Sequence, residues 1–150
     1  MKPIDQIKSD LESNCGISVT LEGNILIVPV EKIRDVSQYL KESSDYRMDY
    51  LASLTGIDCK DSLGVVYNLY SMEKKESGIT IKVKTDREKS VVPSVTPIWR
   101  GAEYQEREAY DLLGIKFEGH PDLRRILMWD EFEFHPLRKD YVMEDQDRAL

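Results

Sequence analysis

Two histidines, two cysteines and a dense set of carboxylates and guanidiniums are the groups with which this 150-residue chain could do chemistry. The histidines, His120 and His135, each precede a proline, where an imidazole commonly bonds to local backbone. With Cys15 and Cys59 they show no HxxxH or CxxC spacing, so a zinc site has no support. An iron–sulfur cluster usually needs four thiolates, twice what this chain supplies. Glu106 and Glu108 are two positions apart; on a helix they point about 200° away from each other and cannot serve one substrate as acid and base. No GxSxG elbow, P-loop or GxGxxG turn occurs. A free-standing enzyme would have to gather Glu106, Arg124 and His120 around a small anion, which requires a pocket where they converge.

What the charges suit better is fastening. Glu106-Arg107-Glu108-Ala109-Tyr110-Asp111-Leu112-Leu113-Gly114 leads into His120-Pro121-Asp122-Leu123-Arg124-Arg125-Ile126-Leu127, and His135-Pro136-Leu137-Arg138-Lys139-Asp140-Tyr141 follows. Aromatic and aliphatic residues are threaded between the charges, and no regular period survives beyond Gly114. That mix describes an irregular arm held to another surface by ion pairs and anchors. On a helix from about Trp99 to Leu113, the residues Trp99, Ala102, Ala109, Tyr110 and Leu113 share a face with Glu106 at its centre. Arg107, Glu108 and Asp111 fall elsewhere on the wheel. A carboxylate in an apolar stripe needs a partner, and Arg124, Arg125 and Arg138 are the candidate cations for a fork-like bond. Trp129, Phe132 and Phe134 stand beside an arginine cluster. They read either as interface anchors or as rings packed back onto the chain's own sheet.

These residues need a platform. Pro3, Ile4, Ile7 and Leu11 predict a first helix stopped by Asn14 and Gly16. Ile17, Val19 and Leu21, the turn Glu22-Gly23-Asn24 and the run Ile25–Val30 predict a hairpin. Ile33, Val36 and Leu40 mark a second helix. Leu51, Leu54 and Ile57 fit helical spacing, but the stretch after Ala52 reads better as strand. Val65, Tyr67 and Leu69 alternate on one strand, and Ile79, Ile81 and Val83 on the next. The fold class is therefore α+β: a two-layer domain with a mixed or antiparallel sheet and helices on one face, followed by an extended irregular C-terminal arm. Residues 1–92 form the core of the domain, 93–114 a signature helix packed on it, and 115–150 the docking arm.

Composition narrows the partners. With 41% hydrophobic and 33% charged residues the chain can fold around one core. A formal net charge of −7 argues against nucleic acid, which calls for a basic face. The start of the chain lacks the apolar run of a signal peptide, and the run Ile25–Val30 is far short of a membrane span. The expected location is the cytosol or the cytosolic side of a membrane, as a peripheral protein.

The run from Glu106 to Ile115, with Gly119–Leu127 and His135–Tyr141, resembles the signature of the respiratory complex I 30-kDa subunit, the C-subunit of bacterial NADH:quinone oxidoreductase. The likeness is dense from about Pro93 to Tyr141. One departure stands out: the family generally has Trp-x-Gly-His-Pro-Leu-Arg where this chain has Phe132-Glu133-Phe134-His135. The ring at Phe134 replaces a glycine and removes easy access to positive φ. The resemblance implies a structural subunit of the peripheral arm with no cofactor of its own, FMN and iron–sulfur clusters being carried by other subunits. Its implied partners are the hydrogenase-like large subunit that forms the quinone pocket and neighbouring iron–sulfur subunits. Related chains serve membrane-bound hydrogenases, formate hydrogenlyases and deazaflavin-dependent dehydrogenases, so the electron donor stays open. In this reading Glu106, Arg107, Glu108, Asp111, His120, Asp122, Arg124, Arg125, Trp129, Phe134, His135, Arg138, Lys139, Asp140 and Tyr141 form the structural ion pairs and subunit interface.

Overall fold

A computed structural model describes residues 2–75 and 78–142. The amino-terminal helix α1 (Ile4–Cys15) follows Pro3 and ends at Gly16 in the left-handed region, burying Ile7 and Leu11. Strands β1 (Thr20–Glu22) and β2 (Ile25–Ile27) form a tight hairpin, and a short 3-10 turn at Val30–Lys32 leads into α2 (Ile33–Glu42). Three longer strands follow: β3 (Tyr50–Asp58), β4 (Ser62–Tyr70) and β5 (Ile79–Asp86). They complete a five-stranded sheet in the order β1-β2-β5-β4-β3, antiparallel except for the parallel pair β2–β5.

Register explains which face is covered. Val65, Tyr67 and Leu69 lie opposite Val83, Ile81 and Ile79, and all six are buried. A bulge between Leu51 and Ser53 brings Leu51 and Leu54, three positions apart, opposite Leu69 and Tyr67 on that same face. Without the bulge, strict alternation would turn one of the two leucines to solvent. The helices cover this face, and their buried residues join its core cluster. On the other face Asn68 donates to Ser53 Oγ at 2.7 Å and accepts from Thr80 Oγ1 at 2.9 Å, a polar ladder suited to water.

Helix α3 (Ala102–Leu113) lies across β3, and Gly56 permits the approach. A Cβ there would meet Leu113 Cδ1 at 2.6 Å and Ala109 Cβ at 3.2 Å. The helix starts three residues later than its periodicity suggests; Trp99 is buried in the preceding turn, with its indole N–H donating to Met48 O at 3.0 Å. The strand expected after Ala52 likewise begins earlier, at Tyr50.

The boundary expected at Gly114 shifts. Beyond it, Ile115 and Phe117 are buried in the core, and β7 (Lys116–Glu118) pairs in parallel with β6 (Val91–Pro93). The domain therefore continues to Glu118, and the irregular arm is residues 119–142, with 143–150 outside the described residues. Among the described residues, no helix is long and apolar enough to cross a membrane.

Candidate functional site

The site is the root and outer face of the arm, organised by α3. Glu106 sits at the centre of the apolar stripe and its side chain is fully buried. Its partner is not an arginine of the arm, as the sequence suggested. Oε1 accepts the Val95 backbone N–H at 2.8 Å and Oε2 accepts the Ser94 hydroxyl at 2.6 Å. One backbone N–H and one hydroxyl from the chain just after Pro93 thus supply what a guanidinium was expected to. Burial still pushes the Glu106 carboxyl up from its ordinary value; the two hydrogen bonds pull the other way without cancelling it.

His120 packs against this carboxylate, with Nε2 at 4.0 Å from Oε2 and its side chain equally buried. Nε2 donates to Glu103 O at 2.9 Å, and Nδ1 accepts the Asp122 N–H at 2.9 Å. A carbonyl can only accept and an amide can only donate, so the tautomer is fixed by these neighbours. From α2, Arg34 donates to Ser94 O and Glu118 O, each at 2.7 Å, and closes the root from the other side.

The carboxylate that does meet an arm guanidinium is Asp111, which the wheel had turned away from the stripe. It is fully buried because the arm covers a second face of α3. Oδ1 accepts Arg125 at 2.7 Å, while Oδ2 accepts the backbone N–H groups of Ile126, Leu127 and Met128 at 3.1, 2.6 and 2.8 Å. Burial alone would raise its pKa, but these three amides and Arg125 together hold the carboxyl below its ordinary value. Arg107, buried beside it, donates to Arg124 O at 3.2 Å and Arg125 O at 3.1 Å.

The arm then returns past the end of α3. Gly114 terminates the helix at φ 78° with its N–H on Tyr110 O, and a side chain there would collide with Arg138 and His135. His135 Nδ1 donates to Asp111 O at 3.1 Å, Arg138 Nε to Leu113 O at 2.6 Å, and the Leu137 N–H to Leu112 O at 3.0 Å. The last carbonyls of α3 are thereby satisfied by the arm, the cationic ends lying where the helix dipole favours them. Burial chiefly, with the Arg138 and Arg125 charges, pushes the His135 imidazole down from its ordinary value. Farther along, the Lys139 N–H reaches Asp58 Oδ2 at 2.7 Å and Asp140 meets Arg87 at 3.1 Å; Arg87 also forks onto Asp58.

With its polar groups spent inward, the arm turns large apolar side chains outward. Leu127, Trp129, Phe134 and Leu137 are each 57–62% exposed, and Val142 is 83% exposed. Trp129, Phe132, Phe134 and Tyr141 stack in a chain with ring centroids 4.8–6.3 Å apart, and Arg125 lies over Phe132. The rings pack on one another and on the arm, not into the sheet. Phe134 belongs to this stack. Glu108 is exposed, and Asp122 and Arg124 form an exposed pair at 2.9 Å. Arg124 therefore does not converge with Glu106 and His120 on a pocket. Sequence reasoning missed Ser94, Val95, Arg34, Asp58 and Arg87. Asp58 and Arg87 are opposite charges near the ends of two strands, but no local pattern specifies that they meet.

Among the described residues, no group of three or more His, Cys, Asp or Glu side chains is placed to hold a metal ion. The fold and the site define a class: a small α+β platform with a polar-tethered arm that presents an apolar face. Residues 26–147 match the family described as respiratory-chain NADH dehydrogenase, 30 Kd subunit, and the chain belongs to that family. It is 41% identical over 138 residues to the NADH-quinone oxidoreductase C-subunit of Chloroherpeton thalassium, covering 91% of this chain and 55% of that one. It is 38% identical over 148 residues to the C-subunit of Moorella thermoacetica, covering 97% and 95%. The span is shorter against the NADH-quinone oxidoreductase C/D polypeptide of Phocaeicola vulgatus, where this chain corresponds to 22% of the relative's length at 46% identity. Among solved structures, a trypsin-resistant fragment (1–134) of Nqo5 aligns with TM-score 0.64 at 29% identity, covering 80% of this chain and 98% of that one. A chain of the membrane-bound sulfane sulfur reductase, an archaeal respiratory membrane complex, aligns with TM-score 0.72 at 27% identity, covering 93% and 85%.

Proposed function

We propose that this chain is a structural subunit of the peripheral arm of a proton-translocating NADH:quinone oxidoreductase, docked on the cytoplasmic side of the membrane. Its arm lies against the large subunit that forms the quinone pocket, with iron–sulfur subunits as further neighbours. The chain holds no cofactor and has no activity alone; FMN and iron–sulfur clusters belong to other subunits. The observation that carries this reading is the arm's construction, taken with family membership. Five apolar side chains more than half exposed, on a segment tied down by buried polar bonds, are costly for a solitary protein and ordinary for a persistent interface. Such an interface should bury more than roughly 2,000 Å².

The structural likeness to the sulfane sulfur reductase chain favours a second reading, in which the same platform serves a related membrane complex with another electron donor. Hydrogenases, formate hydrogenlyases and deazaflavin-dependent dehydrogenases fall in that group. Gentle affinity purification of the tagged chain from its host's membranes separates the two. Flavin, iron–sulfur subunits and NADH-dependent quinone reduction are expected with the chain. Nickel with hydrogen evolution, or a complex inactive with NADH, would move it to the second reading, and a chain recovered alone would refute both.

A further inference from the structure

A cleft of about 480 Å³ lies at the Tyr50 end of β3, opposite the Asp58 end where Lys139 attaches. Its walls are the end of α2 at Lys41, the start of β3 at Asp49 and Tyr50, and the turn into α3 at Pro97, Trp99 and Arg100. Three bonds hold these walls in place. The Met48 N–H donates to Leu40 O at 2.9 Å, the Trp99 indole to Met48 O at 3.0 Å, and the Lys41 ammonium to Ile98 O at 2.6 Å. The cleft is therefore formed in advance, and little ordering is left for a ligand to bring about.

Its charge is unusual for this chain. Lys41 has donors left after Ile98, Arg100 is exposed, and among the described residues neither lies within ion-pair distance of a carboxylate. Asp49 is present but occupied, accepting the Met72 N–H at 2.9 Å. Two cations against one carboxylate leave the lining net positive in a protein of formal charge −7. Beside the cations stand apolar surfaces. Tyr50 is 49% exposed and Pro97 is exposed, and Tyr50 pairs across strands with Tyr70, which is 44% exposed. Aromatic rings next to an exposed arginine are the composition of a protein-binding surface.

We infer that this cleft is a second docking surface, taking an acidic segment of a neighbouring subunit. A carboxylate sits between Lys41 and Arg100, and the side chain next to it lies on Tyr50 and Pro97. This rests on the subunit reading and deepens it. The nine residues of β3 carry the chain from Tyr50 to Asp58, where Lys139 attaches, a span of about 26 Å at ~3.3 Å per residue. The chain thus bridges two neighbours, one on the arm and one on the cleft.

The test places a photoreactive benzophenone amino acid at Tyr50, or separately at Trp129, in the tagged full chain within its complex. Irradiation is expected to cross-link Tyr50 to a subunit peptide that contains Asp or Glu. Arg100→Glu, a change at an exposed residue, should lower that yield tenfold or more and leave the Trp129 yield unchanged. Changing the cross-linked partner carboxylate to Lys should restore it. Cross-links from Trp129 with none from Tyr50 would overturn the cleft inference alone. Adducts from Tyr50 to lipid or to an uncharged segment, or a yield indifferent to Arg100→Glu, would do the same. Failure at both positions would overturn the subunit reading and this inference together.

Discussion

Replacing Asp111 with asparagine should release the first half of the arm while the platform stays folded. The carboxylate serves two sets of donors at once: three backbone amides on Oδ2 and the Arg125 guanidinium on Oδ1. An asparagine cannot do both. With its oxygen towards the amides its NH₂ confronts Arg125; reversed, the NH₂ confronts three N–H groups. Removing one partner of a buried ion pair costs about 3–5 kcal/mol. The amide oxygen keeps part of one set, so the lower end applies, about 3 kcal/mol, or on the order of a 100-fold change in the opening equilibrium. Amide hydrogen exchange reads this directly. Protection at Ile126, Leu127 and Met128 should fall on the order of 100-fold in Asp111→Asn, while amides of β4 and β5 are unaffected. Because the Asp111 carboxyl is held below its ordinary value in the folded chain, its contribution is present above the unfolded pKa. It is lost only as pH falls through the lower folded value. The wild-type arm should therefore remain protected at pH 5. Unchanged protection at 126–128 in the variant would refute the reasoning, since the anchor would then lie elsewhere.

Glu106 should behave in the opposite sense. Its folded pKa is raised, so stability increases as pH falls through that value towards the unfolded one. Glu106→Gln mimics the neutral acid, still accepting from Val95 and able to donate to Ser94. Urea midpoints between pH 5 and 8 should be flatter for the variant than for wild type, and parallel curves would count against burial as the cause. Gly56→Val should cost about 1–3 kcal/mol by overpacking, since its side chain enters the space of Leu113 and Ala109; urea denaturation at constant m checks it. Trp129→Ala combined with Leu137→Ala should change the stability of the isolated chain by less than about 1 kcal/mol, the side chains being mostly exposed. The same pair should markedly lower recovery of the chain in its complex, as judged by native electrophoresis of host membranes.

Much of the platform was legible because local pattern and tertiary need agree there. Val65, Tyr67 and Leu69 alternate because one side of β4 is covered, and the helix from Ile4 is bounded by residues suited to its ends. The site was legible only in part. The wheel located Glu106 correctly, and a buried carboxylate does require partners. It could not show that the chain just after β6, 11 positions away, brings a backbone N–H to it. Asp111 was misplaced for a related reason: apolar periodicity identifies one buried face, whereas α3 has two, the second covered by a polar arm that has no period. Strand β7 is three residues long, too short for alternation to register, so Ile115 and Phe117 looked like arm. Asp58 and Arg87 meet each other because β3 and β5 flank β4 and end at the same edge, and they meet the arm through the path of residues 139–140. No local signal specifies either meeting.

The claim that the arm is an interface can be tested by hydroxyl-radical labelling of Trp129, Phe134 and Leu137 in the isolated chain and in the membrane-extracted complex. Tyr104, exposed on α3, provides an internal comparison for labelling efficiency. All three arm residues should label strongly in the isolated chain and lose at least severalfold of that labelling in the complex. Equal labelling of the three in both samples would contradict the docking role assigned to the arm.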